Sequence, residues 1–322
     1  MSMTRSILAA GAVGLALTAA APAHAQYPEK AISIVVSASP GSANDLLARF
    51  IADRLSPVLG QSIVVDNRPG GGTRIGAAYV ANSPADGYTL MVHSTSMLTT
   101  QAIYNDPGYE VVDDFVPISQ LARGAMGVIV RSDFPADDLR GFVDYAKANP
   151  GEINYGSAGV GSIMHLNAAL LGLEADIEIE HIPYGGGAPT LTALLGNEVQ
   201  MTVIDVSTVQ SHVAEGTLKV LAVGSTERLP EMPDVPTMQE SGVDMTATLW
   251  YGLLGPSGMP EDVLAKLRST LAELVSNDDF VAAMRERGFQ PPITDIAAFE
   301  KEIAGGAALW RRVVEEADIE KQ

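Results

Sequence analysis

Two glycine- and serine-rich stretches hold the residues best suited to chemistry: Ser37-Ala-Ser-Pro-Gly-Ser-Ala-Asn-Asp45 and Gly156-Ser-Ala-Gly-Val-Gly-Ser-Ile-Met-His165. Each follows an apolar run with strand character and opens a segment with helical periodicity. A Gly/Ser turn at a helix N-terminus exposes unpaired backbone N–H groups at the positive end of the helix dipole. Such a terminus binds anions. The first stretch offers Ser39, Gly41, Ser42, Ala43, Asn44 and Asp45. The second offers Ser157, Ala158, Gly159, Val160, Gly161 and Ser162. Either stretch alone also reads as an ordinary capped helix start. Two in one chain suggest two domains closing on one anionic ligand. Ser157 and Ser162 either donate to a bound carboxylate or cap the following helix, and both roles can coexist. His165 falls about one turn into that helix, where it either faces a cleft or packs inside. Asp45 complements the first helix dipole, so capping is its stronger reading. An anion approaching Asp45 would be repelled unless the ligand carried an amine there.

Other chemistries find little support. The His-Glu-x-x-His zinc pattern is missing, and the five His residues are scattered. No metal site is expected. There is no Walker A sequence, and no cofactor is implied. Pro69-Gly-Gly-Gly-Thr-Arg-Ile-Gly76 resembles a dinucleotide fingerprint, but Ile75 stands where the third glycine belongs. Tyr155-Gly-Ser-Ala-Gly159 approaches a nucleophile elbow, with Tyr155 in place of the first glycine. Ser157, Asp205 and His212 occur in hydrolase order, which keeps a serine hydrolase as the alternative reading.

Composition bounds the setting. The chain has 322 residues, 47% of them hydrophobic, enough core for two domains of ordinary size. Residues 1–25 have the form of a cleaved leader: Arg5, an apolar segment at 7–20, then Ala23-His24-Ala25. With 0 Cys there are no disulfides, no thiolate metal sites and no lipid anchor at the cleavage site. A soluble periplasmic protein is expected. The formal charge of −19 argues against nucleic acid as a partner. It does not exclude an anionic ligand, because exposed charges are largely screened beyond a Debye length of about 8 Å.

The elements that would position these loops alternate. Strands are expected at 31–36, 63–65, 88–92, 127–131, 153–155, 177–182, 199–204 and 218–223. Helices are expected at 45–55, 75–81, 139–148 and 162–173, before Gly196, around 206–215, and after Pro260. Two more are expected over 279–287, capped by Gly288, and over 297–317. This order predicts an α/β fold with mostly parallel strands. In open sheets of that kind ligands bind beyond the carboxyl ends of the strands, where both loops sit.

Taken together, the motifs resemble the Bug-type extracytoplasmic solute receptors of tripartite tricarboxylate transporters. Pro40, Gly41 and Asp45 match that family's first ligand loop, whereas Ser37, Ser42 and Asn44 depart from its usual Pro, Gly and Thr. Val65-Asp-Asn-Arg-Pro-Gly70 and Asp86-Gly-Tyr-Thr-Leu90 match as scaffold. Asn154-Tyr-Gly-Ser-Ala-Gly159 through His165-Leu166 resembles the second ligand loop. Ile182-Pro-Tyr with Gly186 and Pro189, Pro236-Thr237, and Trp250-Tyr-Gly252 complete the set. The resemblance implies a two-domain periplasmic-binding-protein fold, a type II-like Venus flytrap with two interdomain crossings near 127–131 and 249–255. One domain would comprise 26–127 plus 250–322, the other 128–249. It implies a small carboxylate held by loop N–H groups and hydroxyls, with Ser94, Thr95, Gly186 and Asp205 as further contacts. It also implies a monomer that partners the large and small membrane subunits of a transporter; a sensor subunit for a membrane kinase is a second alternative. Three places depart from the family. The Asp of the usual Phe-Asp-Asn is shifted to Asp205, so in a strand it points to the other face and is either a contact or a buried structural Asp. The segment 242–250 is one residue short. The segment 93–104 lacks the usual His-x-x-Asn-Pro.

Overall fold

The computed structural model describes residues 27–322. The expected leader lies outside them. In chain order the first part contains β1 (Ile32–Val36), α1 (Ala43–Leu59), β2 (Ile63–Asn67), α2 (Arg74–Ala81), β3 (Thr89–Ser94), α3 (Ser96–Ile103), α4 (Val111–Asp114) and β4 (Phe115–Arg131). The middle contains α5 (Leu139–Ala148), β5 (Ile153–Ser157), α6 (Ile163–Ala175), β6 (Ile179–Pro183), α7 (Gly187–Leu195), β7 (Met201–Asp205), α8 (Gln210–Ala214) and β8 (Leu218–Val223). The chain closes with β9 (Thr248–Pro256), α9 (Glu261–Val275), α10 (Asp278–Glu286) and α11 (Ile296–Glu316).

Local chemistry explains most boundaries. In β1 the run Ile-Ser-Ile-Val-Val is buried at four of five positions, the pattern of a strand covered on both faces. Helix α1 starts at the Ser42 cap and stops at Gly60, whose φ of +68° suits glycine. Helix α5 buries Leu139, Phe142 and Ala146 on one stripe after the Asp138 cap. Helix α6 is different: every residue from Met164 to Leu171 is buried. An apolar helix without a polar face must be enclosed, and α6 packs on sheet strands on one side and on α3 and α11 on the other.

Strand pairing departs from the mostly parallel sheet that the alternation predicts. β1 pairs in parallel with β2 and β3, and β5 with β6 and β7. β4 and β9 run against their neighbours. β4 is 17 residues long. Through Ala125 it pairs with β9, and from Met126 and Gly127 onward it pairs with β7 and β8. One strand therefore belongs to two sheet bodies. The return path lies beside it. Met126 N donates to Ala247 O (2.9 Å), Ala247 N to Gly224 O (2.8 Å) and Gly224 N to Met126 O (2.7 Å). The change of partner thus falls at 125–127 and 247–248, at the N-terminal margins of the segments expected to cross.

Strand direction then places the loops. β4 runs parallel to β1 and β3, so their carboxyl ends point the way β4 leaves, toward the second body. β5, β6 and β7 run against β4, so their carboxyl ends point back toward the first. The two sets of strand ends face one another across a waist at Ala125–Met126. The C-terminal helices cover the first body. Trp250 of β9 meets Phe299 of α11 edge-on at 5.2 Å, and a Cβ at Gly252 would come within 2.7 Å of the Phe299 ring.

Candidate functional site

Four helices begin at the waist: α1 and α3 after β1 and β3, α6 and α7 after β5 and β6. The first loop is held by Asp45, which is only 2% exposed. Ser42 Oγ accepts from Asp45 N (3.3 Å), and the Asp45 carboxylate accepts from Gly41 N (2.9 Å) and Asn67 Nδ2 (2.9 Å). Arg49 closes the carboxylate at 2.9 Å. Burial alone would raise the Asp45 pKa. Hydrogen bonds from Arg49, Gly41 and Asn67, with the Arg49 charge, outweigh it and hold the group below the usual carboxylate range. Asp45 is therefore an anchor whose charge is already matched. Gly41, at φ +84°, makes the turn possible. Among the described residues, the Ala43 and Asn44 amides have no acceptor, and Asn44 Oδ1 is buried without a partner. Ser39 is exposed on the loop.

At the end of β3, Thr95 is clipped to β9: its N donates to Trp250 O (3.1 Å) and its Oγ1 accepts from Trp250 N (2.9 Å). Ser94 and Ser96 share a 2.9 Å hydroxyl contact. His93 is buried, its Nδ1 accepting from Ser94 N (2.8 Å), and burial pushes its pKa down to about 4.

The second loop is organised from below. Ser157 is 0% exposed. Its Oγ contacts Gly159 N and O (3.1 Å each) and lies 2.6 Å from Nε2 of His181. His181 stacks on His165 with centroids 3.7 Å apart and planes 7° from parallel, and Tyr155 lies beside the pair, 5.0 Å from His181 and 6.1 Å from His165. His165 Nδ1 accepts from Gly161 N (3.1 Å). His165 is 4% exposed. Burial, reinforced for His165 by His181, pushes their pKa values down to about 3 and about 4. The pair is neutral near neutral pH and lines a groove of about 1280 Å³ between α6, β6 and residues 317–322. Ser162 caps α6 by accepting from His165 N (3.2 Å). Ile163 and Met164, at the first two positions of α6, have amides with no acceptor among the described residues. Ala158 and Val160 complete the loop. A Cβ at Gly161 would meet Ile103 of α3 at 2.9 Å, so this loop touches the opposite body. Gly186 starts α7 without a side-chain cap, and Thr190 Oγ1 ties that turn to Ser157 O (2.8 Å).

Asp205 ends β7 at the waist. Its Oδ1 accepts from Ser207 N (2.9 Å), and burial raises its pKa against that hydrogen bond. The hydrolase constellation does not assemble. Ser157 is engaged by His181, Asp205 by Ser207, and His212 by Thr217 in another part of the second body (Nδ1 to Oγ1, 3.4 Å). Sequence reasoning missed three positioning residues, Arg49, Asn67 and His181. For Asn67 the quoted scaffold motif was a usable signal; His181 has none, because its role exists only across the β5–β6 pair.

Comparison with known proteins agrees with this geometry. The family model described as the tripartite tricarboxylate transporter family receptor matches residues 47–319. Protein BugT of Bordetella pertussis is 32% identical over 320 residues, 98% of each chain. The solved structure of Rpa4515 from R. palustris with adipate has a TM-score of 0.77 at 31% identity, covering 92% of this chain and 100% of that one. MatC from Rhodopseudomonas palustris with bound malate has a TM-score of 0.73 at 27% identity, covering 89% and 100%. These are solute-binding receptors of the two-domain periplasmic-binding-protein fold, not enzymes. With the family match spanning most of its length, this chain is a Bug-type receptor of the tripartite tricarboxylate transporter family.

Proposed function

We propose that this receptor captures a small carboxylate at the waist and delivers it to the large and small membrane subunits of a tripartite transporter. The observation that carries the reading is that α1 and α6 start at facing strand ends of opposite bodies, with the Ala43, Asn44, Ile163 and Met164 amides unpaired among the described residues. Such donors are oriented before the ligand arrives, which lowers the ordering cost of binding. The adipate and malate of the two structural neighbours support a carboxylate. Loop residues Ser39, Ser42, Ser94, Ala158, Val160 and Gly186 would complete the enclosure, while Asp45, Ser157 and His165 hold its shape. A cleaved leader would place the protein in the periplasm as a monomer, its bodies 26–127 with 250–322 and 128–249 hinging at the two crossings. Among the described residues, no helix is long and apolar enough to cross a membrane. Calorimetry with matched acids and amides tests the reading. The amide should bind at least tenfold more weakly, a loss of about 1.4 kcal/mol or more; equal affinities would sink it.

A further inference from the structure

The waist is lined mainly by donors, with one exception. Asp205 Oδ2 makes no hydrogen bond or ion pair among the described residues, although Oδ1 is held by Ser207 N at 2.9 Å. Its position follows from register. β7 lies beside β5, with Gly156 opposite Thr202, and Asp205 ends β7 at the same end of the sheet at which β5 gives way to the second loop. On its other side β7 pairs with β4, with Asp205 opposite Met126 at the change of sheet. There the wall is Gly124, where a Cβ would come within 2.7 Å of Oδ2. The absence of a side chain at Gly124 is what leaves room for this oxygen.

An ionised carboxylate only accepts hydrogen bonds. It cannot meet the ligand's own carboxylate without repulsion. Resting on the carboxylate reading above, we infer that the ligand bears a hydroxyl or ammonium donor near its carboxylate and points it at Oδ2 of Asp205. Asn44 does not discriminate in this way, because its unpaired amide can turn to donate or accept. Asp45 does not compete, since Gly41, Asn67 and Arg49 already satisfy it. A donor at Oδ2 would also offset the burial that disfavours the ionised form of Asp205. The residue thus sets specificity by leaving an unpaired acceptor wherever a plain diacid occupies the site.

Calorimetry on the whole protein with two matched sets tests this: succinate, malate, 2-methoxysuccinate and aspartate; then glutarate, 2-hydroxyglutarate and glutamate. At least one donor-bearing acid should bind tenfold or more tightly than its plain counterpart. The hydroxy and amino arms tell which donor is meant. If the hydroxyl is the donor, 2-methoxysuccinate, which accepts but cannot donate, should bind tenfold more weakly than malate. Asp205→Asn keeps the Oδ1 contact to Ser207 but replaces the acceptor with a donor, so the preference should fall below threefold. Plain acids that bind as tightly as donor-bearing ones in the wild-type protein overturn the inference and leave the carboxylate reading standing. So does a preference unchanged in Asp205→Asn. Failure of every acid to bind overturns both.

Discussion

Ser157 Oγ and His181 Nε2 lie 2.6 Å apart, joining the second loop to a strand that the sequence separates from it by 24 positions. The serine that looks like a nucleophile is thereby a tie. Both of its remaining contacts go to Gly159 of its own loop.

Replacing that hydroxyl leaves a half-buried Gly159 N–H and the His181 ring without their partner. Ser157→Ala should lower stability by about 1–3 kcal/mol, read from the midpoint of urea unfolding at constant slope. Carboxylate affinity should fall while ester turnover by pure protein stays at background. Activity that disappears with Ser157→Ala would restore the hydrolase.

Stability should fall as the medium is acidified below about pH 6.5, before carboxylates titrate. His93 and His181 are pushed down to about 4 and His165 to about 3, so the unfolded chain takes up protons that the folded chain refuses. Their contribution is present above the unfolded value and is lost toward the folded ones, at up to about 1.4 kcal/mol per pH unit for each ring. Urea midpoints between pH 7.5 and 5 measure the slope. His181→Gln should reduce it; an identical slope in the variant contradicts the stack as its source.

Asp45 acts lower on the scale. Its pKa is depressed in the fold, so its contribution is present above the unfolded value and lost as pH falls through the folded one. Asp45→Ala removes the acceptor for Gly41, Asn67 and Arg49 together. A loss of about 1–3 kcal/mol is expected, with weaker carboxylate binding because the first loop is no longer shaped. Unchanged stability and affinity in Asp45→Ala would show the anchor to be dispensable.

The change of strand partner at the waist permits a structural test. A Cβ at Gly224 would sit 2.5 Å from Ala247, against both side chain and backbone. Gly224→Ala should therefore cost about 1–3 kcal/mol by forcing the segments at Gly224 and Ala247 apart, read from the urea midpoint.

Closure itself is read by small-angle scattering. A ligand that bridges loops on opposite bodies favours the closed state by its differential affinity, so saturation should lower the radius of gyration. An unchanged profile, with binding confirmed by calorimetry, argues for a protein already closed.

By itself the sequence determined the alternation of strands and helices and the two loops that open helices. α5 and β8 fall on the expected bounds, and α6 within two residues, because local apolar pattern and caps specify them. It also carried the ordered motifs of the family. It did not reveal β9 as a strand or the first half of β4, where Pro117 and Gly124 interrupt the apolar pattern. Pro117 is accommodated at an irregularity in the β4–β9 register, a place where a missing N–H costs little. Nor did it suggest α3 over 96–103, a short helix buried at all but its first residue, with no polar face to betray its period. The same holds for the site. Which of Asp45 and Asp205 is matched and which is open depends on Asn67 and Gly124, brought in by pairing across strands, and on Arg49, one turn along α1 from Asp45. Side-chain type and neighbours one turn away are local, but the partners across strands that complete or leave open a charge's shell are assembled by the tertiary fold.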